Sequence, residues 1–173
     1  MWVFGYGSLM WDGWEAAFGC MRKEQAMLAG FRREFNKGSV ENWGSNDAPC
    51  PTLGLARDEG AECVGVAFEF PDRVRDRLVA RLSNREGPSF SLEPLEVRLQ
   101  SGTSVLALVP VNDTSARTYI GDLPASERAS LVKSAHGRDG ACLDYLINVR
   151  KELAKLEIVD PAVEQLWADV SRS

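Results

Sequence analysis

A single histidine, His136, serves the whole chain, so a Ser/His/Asp triad or a histidine-rich metal centre would have to be built around that one side chain. It lies in Ser134-Ala135-His136-Gly137, at the expected end of a helix, where an imidazole suits the terminal carbonyls. Cysteine is sparse too. Cys20, Cys50, Cys63 and Cys142 form no C-x-x-C pair, which argues against a zinc knuckle or redox dithiol and suits four small buried hydrophobes. No charged segment followed by a long apolar one precedes Trp2-Val3-Phe4-Gly5, so free thiols and a cytoplasmic setting are expected. No apolar run approaches the ~20 residues of a membrane helix. Positive charge is in deficit: 20 Lys and Arg against 25 Asp and Glu leave a net −5. Such a surface has no counterion-release drive toward nucleic acid or anionic lipid, and the basic cluster Arg32, Arg33, Lys37 is too local to supply one. Gly5-Tyr6-Gly7 lacks the third glycine of a dinucleotide fingerprint, Met10 standing in its place, so no nucleotide cofactor is indicated.

What is present fits one globular domain over residues 1–173, with 45% hydrophobic and 26% charged residues. Trp2 to Tyr6 reads as a short buried strand broken at Gly5-Tyr6-Gly7-Ser8. Residues 15–31 are ambiguous between helix and strand, with a strand favoured from about Gln25 to Lys37. Asn42 to Pro51 is a polar loop. Thr52 to Arg57 and Cys63 to Phe70 read as a hairpin turning at Asp58-Glu59-Gly60. Pro71-Asp72 opens a helix with Asp72 as candidate N-cap, a stripe of Val74, Leu78, Val79 and Leu82, and an end at Glu86-Gly87-Pro88. Leu92 to Leu99 and Ser104 to Val111 form a hairpin around Ser101-Gly102. Helices follow: Pro124 to His136, about Asp139 to Leu156, and a third capped by Asp160-Pro161. Strands first and helices last is an α+β order around a mostly antiparallel, barrel-like sheet.

Two local features carry chemistry. Gly5-Tyr6-Gly7-Ser8-Leu9 follows a buried strand, and its glycines let consecutive amides converge on one point, as in a nest that holds a carboxylate or oxyanion. Alone, the pattern equally describes an ordinary strand-ending turn. Glu86 follows a helix whose terminal carbonyls disfavour a carboxylate, and burial would raise its pKa toward the range where one carboxyl both takes and gives a proton. Alone, it equally describes a solvated glutamate at a frayed end.

Taken together, Trp2-Val3-Phe4-Gly5-Tyr6-Gly7-Ser8-Leu9-Met10-Trp11 and Arg85-Glu86 resemble the γ-glutamylcyclotransferase family, in its ChaC branch. Gly30-Phe31-Arg32-Arg33-Glu34-Phe35, Val64-Gly65-Val66-Ala67-Phe68, Ser134 to Gly140, Asp144-Tyr145-Leu146 and Leu153 to Asp160 extend the likeness in order along nearly the whole chain. The resemblance implies a γ-glutamylcyclotransferase-like α+β fold with helices packed around the sheet. It also implies a cofactor- and metal-free lyase that closes the γ-glutamyl group of glutathione, a small-molecule partner, into 5-oxoproline and releases cysteinylglycine. It assigns substrate binding to Phe4, Gly5, Tyr6, Gly7, Ser8 and Leu9, acid/base catalysis to Glu86, and a pocket-lining place to Tyr145, whose ring would otherwise be a core residue. Arg33 reads as a weaker candidate with a structural alternative.

The sequence departs from the branch in two places. Asn42-Trp43-Gly44-Ser45 has tryptophan where the branch carries arginine, and Gly87-Pro88-Ser89-Phe90 replaces a Met-containing run. Three alternatives stay open: the same chemistry on another γ-glutamyl peptide or γ-glutamylamine, a non-catalytic γ-glutamyl-binding module, and a hydrolase releasing glutamate.

Overall fold

The computed structural model describes residues 1–11 and 13–172, and these gather into two compact units. The first comprises Met1–Arg32 and Ala56–Asp113, and the second comprises Arg33–Leu55 and the described chain from Thr114 onward.

The first unit holds a closed barrel with strand order β1-β3-β2-β4-β5. Its strands are β1 (Trp2–Gly5), β2 (Arg22–Ser39), β3 (Cys50–Glu69), β4 (Phe90–Leu99) and β5 (Ser104–Asn112), of which β2 and β3 run on into the second unit. β1 pairs antiparallel with β3, Trp2 opposite Glu69 and Gly5 opposite Val66, and closes the barrel in parallel with β5, Trp2 opposite Ala107. β4 is antiparallel to β5 and to β2, with Leu99 opposite Ala26. The sheet is therefore mostly antiparallel, as expected. Alternate residues turn inward: Val97 and Leu99 on β4, Ala107 and Val109 on β5, with Phe4, Leu28 and Phe68 beside them, all buried. Truncating a buried aromatic such as Phe68 to alanine typically costs about 3–5 kcal/mol.

The hairpin expected at Asp58-Glu59-Gly60 does not form. β3 is one strand of 20 residues, and those exposed residues lie mid-strand. Gly60 N–H does reach Asp58 Oδ1 at 3.3 Å, the local bond a turn would use. Neighbouring side chains nevertheless hold the strand extended: Arg32 on β2 lies 3.5 Å from Asp58 Oδ2, and Arg57 stacks 4.9 Å above the Phe31 ring. Asp72 is not an N-cap either. Its carboxylate accepts a hydrogen bond from the Met1 amino group at 2.9 Å, while a short 3-10 turn, Asp72–Val74, leads into α1 (Arg75–Glu86). Leu78 and Leu82, one turn apart, form the buried face of α1. Gly87, at φ +76°, stops the helix, and its N–H bonds to Ser83 O at 2.9 Å.

The second unit contains α2 (Ala125–Ser134), the two-residue strands β6 (His136–Gly137) and β7 (Gly140–Ala141), α3 (Cys142–Lys155) and α4 (Pro161–Arg172). His136 thus sits exposed in a strand rather than at a helix end, because β6 pairs with β7 and takes it out of the helix. Asp160 caps α4 as expected, Oδ1 accepting from Ala162 N–H and Val163 N–H at 3.1 and 3.2 Å. Its other oxygen meets the buried Arg33 guanidinium at 3.1 Å. Cys50 and Cys142 are not free thiols. They form a disulfide between the first residue of β3 and the first of α3, with Cα atoms 5.4 Å apart. Cys63 is a buried thiol as expected, and Cys20 is partly exposed. Among the described residues, no helix is long and apolar enough to cross a membrane.

Candidate active site

The strand β1 is apolar and ends at Gly5, where the backbone must turn within its own width. A Cβ on Gly5 would lie 2.9 Å from Leu9 Cβ, and one on Gly65, across in β3, would lie 2.3 Å from Gly5 O. Only glycine permits this approach. The chain then enters a 3-10 turn, Ser8–Met10, with Met10 N–H on Gly7 O at 2.9 Å and Trp11 N–H on Ser8 O at 3.3 Å. The amides of Ser8 and Leu9, at the start of the turn, have no acceptor within it. Two buttresses fix its shape. The buried Tyr6 hydroxyl donates to Pro110 O at 2.8 Å, and Trp14 Nε1–H donates to Leu9 O at 2.9 Å. Trp14 itself packs against Phe68 and Phe70, ring centroids 5.4 and 5.5 Å away.

Glu86 is the last residue of α1, and its side chain is 14% exposed. It belongs to the same unit as the turn, and one side chain joins the two. Arg85 Nη2 donates to Ser8 Oγ at 3.2 Å, and Arg85 Nε lies 3.7 Å from Glu86 Oε1. The second distance is an ion-pair contact rather than a hydrogen bond. The guanidinium offsets the helix carbonyls that would otherwise oppose a carboxylate at this place.

Phe4, Gly5, Tyr6, Gly7, Ser8 and Leu9 are therefore contiguous along β1 and its turn, and Ser8 is linked to Glu86 through Arg85. Phe4 is fully buried, so any part it plays with a ligand runs through its backbone. Tyr145 belongs to α3 in the second unit. It is buried, its hydroxyl oxygen accepts from Leu53 N–H at 3.0 Å, and its ring lies 5.7 Å from that of Trp43. Arg33 is committed to Asp160, the structural alternative noted for it. Sequence reasoning gave Arg85 and Trp14 no role of their own. Adjacency to Glu86 was the available signal for the first, and for Trp14 there was only its place in a tryptophan-rich opening. A groove of about 740 Å³ along α3 and α4, lined by Ile147, Arg150, Val159 and Trp167 among others, holds none of the candidate residues. Among the described residues, no cluster of three or more His, Cys, Asp or Glu side chains could hold a metal ion.

Comparison with known proteins adds three findings. A family model described as ChaC-like protein matches residues 1–173. The chain is 32% identical to gamma-glutamylcyclotransferase 2-3 of Arabidopsis thaliana over 96% of its own length and 86% of the relative's. It is 30% identical to the glutathione-specific gamma-glutamylcyclotransferase of Escherichia coli K12, over 99% of this chain and 73% of that one. The fold matches the crystal structure of a glutathione-specific γ-glutamyl cyclotransferase from yeast with a TM-score of 0.87, at 20% identity, covering 99% and 96% of the two chains.

Proposed function

The chain belongs to the ChaC-like protein family, and from that premise we propose that it is a γ-glutamylcyclotransferase acting on glutathione through a single domain spanning residues 1–173. In the reaction the substrate's α-amine attacks its own γ-carbonyl. A C–N bond forms and closes a five-membered ring, the carbonyl oxygen becomes an oxyanion, and the amide bond to cysteine breaks. The α-nitrogen gives up two protons, one from the ammonium before attack and one as the ring closes, and the departing amine of cysteinylglycine takes up two, so no water or cofactor enters the balance. Because nucleophile and electrophile share one molecule, correct folding of the glutamyl chain supplies most of the advantage, up to about 7–11 kcal/mol in well-oriented systems.

The observation that carries this reading is the placement of Glu86 at the end of α1, tied through Arg85 to the Ser8 turn. Glu86 takes the ammonium proton as a carboxylate and returns it to the leaving amine as a carboxylic acid. The amides of the Tyr6–Leu9 turn hold the glutamyl moiety and meet the developing oxyanion. The family resemblance assigns substrate binding to Tyr145 as well. We place the activity in the cytoplasm. The thiol argument for that setting now rests on Cys20 and Cys63, since Cys50 and Cys142 are bonded to one another.

A second reading keeps the chemistry and changes the peptide. Trp43, which forms an aromatic pair with Tyr145, stands where the branch pattern has a cation, and this departure motivates a γ-glutamyl peptide or amine other than glutathione. Incubating the protein with glutathione, γ-glutamyl-alanine and ε-(γ-glutamyl)-lysine, followed by mass spectrometry, separates the readings. 5-Oxoproline with cysteinylglycine is expected. Free glutamate would mean hydrolysis, and binding without product would mean a non-catalytic module.

A further inference from the structure

We propose that Arg85 is the positioning residue of this site, a single guanidinium that holds the substrate-binding turn at Ser8 and the Glu86 carboxylate in fixed relation. The inference rests on the cyclotransferase reading for its catalytic consequence and on geometry alone for the tie itself. Arg85 Nη2 is 3.2 Å from Ser8 Oγ, and Nε is 3.7 Å from Glu86 Oε1. The two nitrogens belong to one rigid planar group, so placing one places the other. Arg85 and Glu86 are only 17% and 14% exposed, so water screens the contact weakly.

The rest of the turn is already braced. Gly5 packs against Leu9, Trp14 holds Leu9 O, and Tyr6 is bonded to Pro110 O. At Ser8 the brace comes from the Glu86 helix, whose Arg85 donates to the hydroxyl. On the other side, Glu86 is followed directly by Gly87 at φ +76°, where the helix ends. The carboxylate therefore sits at the very end of α1, where the guanidinium lies against it. A lysine could supply charge at one point but could not serve both groups from one plane. Misplacing a proton-transfer group by about 1 Å can cost on the order of 100-fold in rate.

The test compares Arg85→Met, Arg85→Lys, Ser8→Ala and the Ser8→Ala/Arg85→Met double variant with the parent. The readouts are 5-oxoproline formation from glutathione and amide hydrogen exchange over Tyr6–Met10. For Arg85→Met we expect kcat to fall about 10- to 100-fold with KM within about threefold, and exchange in the turn to speed up. Arg85→Lys is expected to recover less than a tenth of the loss. The double variant should be no worse than Arg85→Met, because both changes sever one connection. If Arg85→Met fails to fold, Arg85→Lys decides, and a kcat near the parent's overturns the proposal. An Arg85→Met variant with raised KM and unchanged kcat would also overturn it, by making Arg85 a direct ligand of the substrate. If the parent forms no 5-oxoproline, the cyclotransferase reading falls. Exchange then decides the tie: a loosened turn in Arg85→Met upholds it, and an unchanged turn removes it.

Discussion

Gly65 lies directly against the carbonyl of Gly5: a methyl group on its α-carbon would stand 2.3 Å from that oxygen and 2.9 Å from the Phe4 ring. The oxygen is backbone and cannot swing aside. Gly65→Ala is therefore expected to destabilise the protein by about 1–3 kcal/mol, in the range of overpacked cores, and to lower turnover by displacing the strand that feeds the Ser8 turn. Urea denaturation together with 5-oxoproline assays checks both, and unchanged values on each would mean that β1 is free to shift.

Glu86→Gln keeps size and loses the titrating proton. We expect 5-oxoproline formation to drop at least 100-fold, in line with the usual worth of a general acid/base, with the melting temperature little changed. Retained turnover would remove Glu86 from the mechanism.

The Cys50–Cys142 bond closes a long loop, the cysteines being 92 positions apart. Loop-closure entropy assigns such a bridge about 4–5 kcal/mol. Chemical unfolding of the Cys50→Ala/Cys142→Ala variant should show a loss of that order. Under a strong reductant the parent should fall toward the variant, while the variant itself should not respond.

Glu164 accepts two hydrogen bonds from Arg150, both at 2.9 Å, and this pairing holds its carboxyl below the usual glutamate range. A depressed folded-state pKa adds stability above the unfolded value, near 4.3, and that addition disappears as pH falls through the lower folded value. The carboxylate is 44% exposed, so the effect is small and salt-sensitive. Glu164→Gln should melt below the parent at neutral pH, and the gap should close as the pH falls through that lowered value. A gap that persists at pH 2 would assign the difference to packing.

Much of this architecture is legible from local patterns. The β4–β5 hairpin follows from alternation broken at Ser101-Gly102, and α1 follows from Leu78 and Leu82 one turn apart and Gly87 at its end. The misses share a cause. Asp58-Glu59-Gly60 carries turn chemistry, but Arg32 and Phe31 on the neighbouring strand hold that stretch extended, and no local window sees a neighbouring strand. The disulfide is invisible for the same reason, since Cys50 and Cys142 have no diagnostic spacing. Asp72 has the sequence of a cap but finds the Met1 amino group first. In the site, the turn and Glu86 are visible as unusual residues. Their connection depends on the reach of Arg85 across 77 positions, which tertiary folding alone supplies.

The second unit is drawn from two separated stretches, Arg33–Leu55 and the chain from Thr114 onward, and this sets an order of events during translation. The residues of the first unit have all emerged from the ribosome once Asp113 is out. The ends of β2 and β3 must then wait for α3 before their own unit can close. Throughout that interval Cys50 is a thiol without its mate, while Cys20 and Cys63 have already been made. The nascent chain therefore passes through a window in which a wrong sulfur partner is available and the right one is not.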